Sequence, residues 1–153
     1  MKDLFSLKQA MHAACVSALQ ERISEAQAGV EQAREAGTAD TKSSAGDKHE
    51  TARAMAQQEL EKQASALHNL REMEDHLARI DPAHRCPKIQ PGALVATDKG
   101  LFYVSAAMGK FEVDGKVVLA ISMQAPLLSA LKNLAIGETG TFNGQVHRLV
   151  GIA

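Results

Sequence analysis

Two carboxylates three residues apart, Asp47 and Glu50, stand in a short polar stretch, Lys42-Ser43-Ser44-Ala45-Gly46-Asp47-Lys48-His49-Glu50, with Arg53 close behind. At the start of a helix this spacing projects both acids to one side. Carboxylate and water ligands at near-octahedral geometry are what Mg²⁺ prefers, and two-metal phosphodiester hydrolysis uses one ion to activate water and another to stabilise the leaving oxygen. Two protein carboxylates alone make a weak site, so Asp47 and Glu50 would act beside ligands lent by a partner. The same residues also fill a plainer role: Ser44 or Asp47 caps a helix, and Glu50 is a first-turn acid favoured by the helix dipole. Lys42, Lys48, His49 and Arg53 suit phosphates or the acidic side chains of a partner. Ser43 and Ser44 read as turn and capping residues.

Other constellations carry less chemistry. His68, Glu72 and His76 share a helix face but read as solvent-facing, and His84-Arg85-Cys86 lacks further metal ligands. There is no nucleophile motif, phosphate-binding glycine loop or dinucleotide fingerprint. The expectation is therefore no intrinsic catalytic residue, no tightly bound cofactor, and no enzyme acting alone.

The elements that must position the acids are two long amphipathic segments. Leu4, Leu7, Met11, Cys15, Leu19, Ile23, Ala26, Val30 and Ala33 recur at three- or four-residue spacing. The pattern stops near Ala36-Gly37-Thr38-Ala39-Asp40, where Gly37 suits a C-terminal cap. It resumes with Ala52, Met55, Leu60, Ala64, Leu67, Leu70, Met73, Leu77 and Ile80, until Pro82 ends it. Helices of roughly thirty residues at about 1.5 Å per residue would make an antiparallel arm on the order of 45 to 50 Å long. The division expected is a coiled-coil hairpin over 1–82 with its tip at about 37–50, a linker over 83–91 carrying Pro87 and Pro91, and a small domain over 92–153.

That domain reads as antiparallel β with one short helix. Runs at Ala93 to Ala96, Leu101 to Ser105 and Val117 to Ile121 are separated by Asp98-Lys99-Gly100 and Asp114-Gly115. Pro126 opens a helix to about Leu131. A final hairpin turns at Asn143-Gly144, a type I′ signal. The fold class expected is α+β.

Composition narrows the partners. The formal net charge is −1 and aromatics are 3% of 153 residues, with no Trp, which argues against independent DNA binding and base-stacking platforms. No apolar run has the length of a membrane span, and Cys15 and Cys86 do not form a metal or disulfide motif, so the expectation is a soluble, cytoplasmic protein without a membrane partner.

The hairpin with Gly46-Asp47-x-x-Glu50 near its tip, then Ile121-Ser122-x-x-x-Pro126-x-x-x-Ala130-Leu131 and Ile136-Gly137-Glu138, resembles the bacterial Gre transcript-cleavage factors over nearly the whole chain. The tip differs from the family pattern at Lys48-His49, and the C-terminal signature at Ala125 and Asn133. The resemblance implies an FKBP-like C-terminal domain that docks on RNA polymerase through Ser122, Pro126, Ala130 and Leu131. It implies a coiled coil entering the secondary channel, where Asp47 and Glu50 share Mg²⁺ with the polymerase in trans and the tip meets nascent RNA indirectly. The outcome would be stimulated transcript cleavage or a modulated active centre. The alternative is a non-catalytic FKBP-like interaction module whose arm self-associates or binds another protein.

Overall fold

The computed structural model describes the backbone of residues 3–41 and 47–153, with side chains over 3–37 and 50–153. It is an α+β protein. Helices α1 (Leu4–Thr41) and α2 (Asp47–Ala78) precede β1 (Leu94–Thr97), β2 (Gly100–Val104), β3 (Gly109–Val113), β4 (Lys116–Ile121), α3 (Pro126–Leu131), β5 (Thr139–Phe142) and β6 (Gln145–Ile152). None of the described helices is long and apolar enough to cross a membrane. The chain forms two compact units, Ala18–Glu74 and a second made of Met1–Ser17 with Asp75–Ala153. The boundaries cut across both long helices, so their ends nearest the β domain belong to it.

The first unit is an antiparallel helical hairpin. Leu19, Ile23 and Ala33 of α1 are buried, and a Cβ placed on Gly37 would lie 3.7 Å from that of Ala56. Gly37 therefore does not end α1. It sits inside a helix that continues to Thr41, at a point facing the partner helix. On α2 the inward positions are Ala52, Ala56, Leu60, Gln63, Leu67 and Leu70, all half-buried. Met55 (64% exposed) and Ala64 face outward instead, because the seam runs through their neighbours Ala56 and Gln63. Gln63 takes a seam position because Gly29 opposite leaves room: a Cβ there would meet Gln63 Oε1 at 2.6 Å.

The second unit is built around one six-stranded sheet of order β3-β4-β2-β1-β6-β5. Its pairings are antiparallel except β2 with β4, which is parallel, so the sheet is mixed rather than wholly antiparallel. Side-chain chemistry explains the exception. Strand β4 (KVVLAI) is apolar on both faces and suits an interior place, whereas β3 (GKFEV) offers Lys110 and Glu112 to solvent and suits an edge. The chain therefore passes outside with β3 and returns inside with β4. Two tight turns fix the hairpins: Asp114 (φ 53) with Gly115 (φ 76), and Asn143 (φ 51) with Gly144 (φ 74), both with the paired positive φ of type I′ turns.

One sheet face buries Val95, Phe102, Val104 and Leu149 against Leu127, Leu128 and Leu131 of α3. Cys86 and Ile89 join this core, so the 83–91 segment is packed structure and not a free linker. The opposite face, offset by one residue, carries Leu94 and Tyr103, both fully buried. The first turns of α1 cover it: Tyr103 meets His12, and Leu4 lies so close to Gly151 that an added Cβ would stand 2.8 Å from Leu4 Cδ1. Strand β1 is consequently buried at every position.

Two substitutions check this packing. Gly140 holds β5 against α3 so closely that a Cβ would stand 2.3 Å from the Ala130 carbonyl oxygen, which only a backbone shift relieves; Gly140→Ala is expected to lower the unfolding free energy measured by chemical denaturation by about 1–3 kcal/mol. Ala125 is the N-cap of α3, and its side chain makes no capping bond; Ala125→Ser is expected to raise stability by about 0.5–2 kcal/mol in the same assay.

Candidate functional site

Of the tip residues, Lys42, Ser43 and Ser44 lie outside the described residues, as do the side chains of Asp47, Lys48 and His49. Asp47 and Glu50 are the first and fourth described residues of α2. Glu50 is exposed. Arg53, also exposed, borders a shallow groove of about 220 Å³ with Ala33, Arg34, Gly37, Ala56, Gln57 and Leu60. Arg34 is engaged there with Glu31 at 3.4 Å.

The four residues of the C-terminal signature gather around α3 but differ in what they offer a partner. Pro126 is exposed at the first position of the helix. Ser122 is half-buried, and its carbonyl accepts the Ala125 N–H at 3.0 Å. Ala130 turns its carbonyl toward Gly140. Leu131 is fully buried in the core, so its side chain serves packing and leaves docking to its neighbours. Gly137 and Glu138 are likewise architectural. Gly137 N–H donates to the Leu149 carbonyl (2.7 Å), Leu149 N–H donates to the Glu138 carbonyl (2.9 Å), and the Glu138 carboxylate caps the Ala135 N–H (2.6 Å).

Sequence reasoning passed over a second group of chemistry-bearing side chains at the base of α1. Lys8, His12 and Cys15 follow one another at i, i+4 and i+7, beside the apolar seam. Lys8 is fully buried, with its ammonium donating to the His84 carbonyl and lying 3.9 Å from Cys86 Sγ and 5.6 Å from the Phe5 ring centre. Arg85 stacks over the same Phe5 ring at 4.0 Å. His12 Nδ1 is 2.7 Å from the Tyr103 hydroxyl, with the rings edge-on at 87°. Burial raises the Tyr103 hydroxyl well above the usual phenol range, helped by the nearby Cys15 and Cys86, so it keeps its proton. Burial also lowers His12, against a smaller opposing pull from Asp81. Both partners are therefore neutral near pH 7, and one hydrogen bond joins the Tyr103 hydroxyl to Nδ1. The signal in the sequence was a basic and a titratable residue four apart on a buried stripe, which side-chain type alone assigns to solvent.

His68 Nε2 and Glu72 Oε1 lie 3.1 Å apart on an exposed helix face, and the described residues contain no group of three or more acidic, histidine or cysteine side chains arranged to hold a metal ion. Comparison with protein-family models, with curated proteins and with solved structures finds no match to this chain.

The His12 shift has a definite pH signature. A histidine whose folded pKa lies below its ordinary 6.5 binds fewer protons folded than unfolded, so stability falls as pH drops below about 6.5 toward the folded value. Asp98, lowered chiefly by accepting the Arg148 N–H, acts at still lower pH and leaves this window clear. Urea midpoints measured from pH 7.5 to 5.0 should decline in the native protein, and less steeply in His12→Gln.

Proposed function

We propose that this protein is a Gre-like transcription elongation regulator. It binds RNA polymerase in the cytoplasm and inserts the α1–α2 tip into the secondary channel. The observation that supports the reading most is the joint order of parts: an antiparallel helical hairpin with Asp47 and Glu50 opening α2, followed by an α+β domain in which Ser122 and Pro126 introduce α3. The short helix and the mixed six-stranded sheet suit the FKBP-like domain of that family, and the accessible Pro126 is the best placed of the signature residues to touch a partner.

The donor set decides how the metal would be handled. Two carboxylates fill only part of an octahedral Mg²⁺ shell, so the remaining oxygens must come from the polymerase, the RNA and water. Asp47 and Glu50 would draw the ion and orient a water. Lys48, His49 and Arg53 would meet phosphate oxygens of the RNA, and the chain itself would not cleave RNA.

The assay is RNA release from backtracked polymerase. Added protein is expected to speed the appearance of short 3′ fragments, and Asp47→Asn with Glu50→Gln should reduce that stimulation on the order of 10²-fold while leaving polymerase binding intact. Binding with slowed elongation and no cleavage would make it a channel-blocking regulator; absence of polymerase binding would overturn the reading.

A further inference from the structure

The second unit contains a cleft of about 490 Å³ between the end of α2 and the segment leading to β1, lined by His76, Arg79, Asp81, His84, Cys86 and Gly92 with apolar Ile80 and Pro91. That volume is in the range of small-ligand pockets, roughly 300–1,000 Å³. Its lining carries one cation, Arg79, one carboxylate, Asp81, and two imidazoles, His76 and His84. Arg79 is exposed and has no ion-pair partner among the described residues. The one carboxylate in the lining, Asp81, accepts the Ala83 N–H at 2.9 Å and offsets Arg79 in formal charge, so the positive excess comes from the buried Lys8.

Directly behind two lining residues stands the buried Lys8, whose ammonium touches the His84 carbonyl and Cys86 Sγ. Among the described residues no carboxylate lies within ion-pair distance of it. A buried ammonium without a counter-charge is costly, and an anion placed in the cleft would offset that cost. The C-terminal carbonyls of α2 work against an anion, yet those of His76 and Leu77 are taken by the N–H groups of Arg79 (3.2 Å) and Ile80 (3.1 Å).

We propose that this cleft binds a small organic anion, through a phosphate or carboxylate group held by Arg79, His76 and His84 in front of Lys8. Arg79 supplies a forked pair of donors, the two imidazoles supply ring N–H donors, and Ile80 and Pro91 cover an apolar body. The site is separate from Asp47 and Glu50 and does not depend on polymerase binding.

The test is titration of the full chain with inorganic phosphate, phenyl phosphate and succinate, at ionic strength matched with chloride. The readouts are the thermal midpoint and the backbone amide NMR shifts of residues 76–92. A saturable rise in midpoint with shifts confined to this segment is expected from at least one probe, and which probe wins assigns phosphate or carboxylate. Arg79→Gln, at an exposed position that the fold tolerates, should weaken binding tenfold or more. Lys8→Met should remove the anion-dependent rise while still unfolding in one cooperative transition. No saturable response to any probe, or equal affinity in Arg79→Gln, would overturn the proposal.

Discussion

The contact on which the second unit depends is the seating of the first turns of α1 against the sheet face that carries Tyr103. Without it, Leu94 and Tyr103 would face water on the side opposite α3, and β1 would lose its cover on that face. A sheet of about sixty residues with one short helix is near the lower limit for an independent core. The α1 base supplies the missing layer, and Leu7, Met11 and Cys15 are buried with it. Polar groups specify the register: His12 must meet the Tyr103 hydroxyl, and Lys8 must reach the His84 carbonyl. A slip of one residue along α1 would break both bonds at once and strand polar atoms in a dry interface.

The same seating organises the segment between α2 and β1. Cys86 and Ile89 are drawn into the α3-side core, while His84 and Arg85 are fixed from the other direction by Lys8 and Phe5. The walls of the anion cleft are thus residues held on both sides. Among the described residues two buried polar atoms, Ser105 Oγ and His147 Nδ1, have no hydrogen-bond partner, and nothing in the structure explains them.

Much of this was legible from residue types and spacing, for physical reasons that can be named. The α1 stripe from Leu7 to Ala33 is regular and its buried members are the expected ones. Asn143-Gly144 and Asp114-Gly115 announce type I′ turns because few other pairs tolerate two positive φ values. What escaped depended on the partner surface. Ala56 and Gln63, not Met55 and Ala64, line the α2 seam because Gly37 and Gly29 stand opposite, and Gly37 reads locally as a stop signal. Strand β3 went unseen since an edge strand with Lys110 and Glu112 has only a weak alternating pattern. The parallel β2–β4 pair is a topological choice that no local signal records. Of the candidate site, the helical setting of Asp47 and Glu50 was legible in the sequence pattern, whereas the core role of Leu131 and the burial of Lys8 emerge only from packing in three dimensions.

The central claim is that the α1 base and the β domain form one cooperative unit, and native-state hydrogen exchange tests it most directly. Amides of residues 7–17 should open together with those of β1 and β2, with the same free energy and the same denaturant dependence. Exchange of residues 7–17 at a markedly lower opening free energy than β1, with the sheet still protected, would contradict the account.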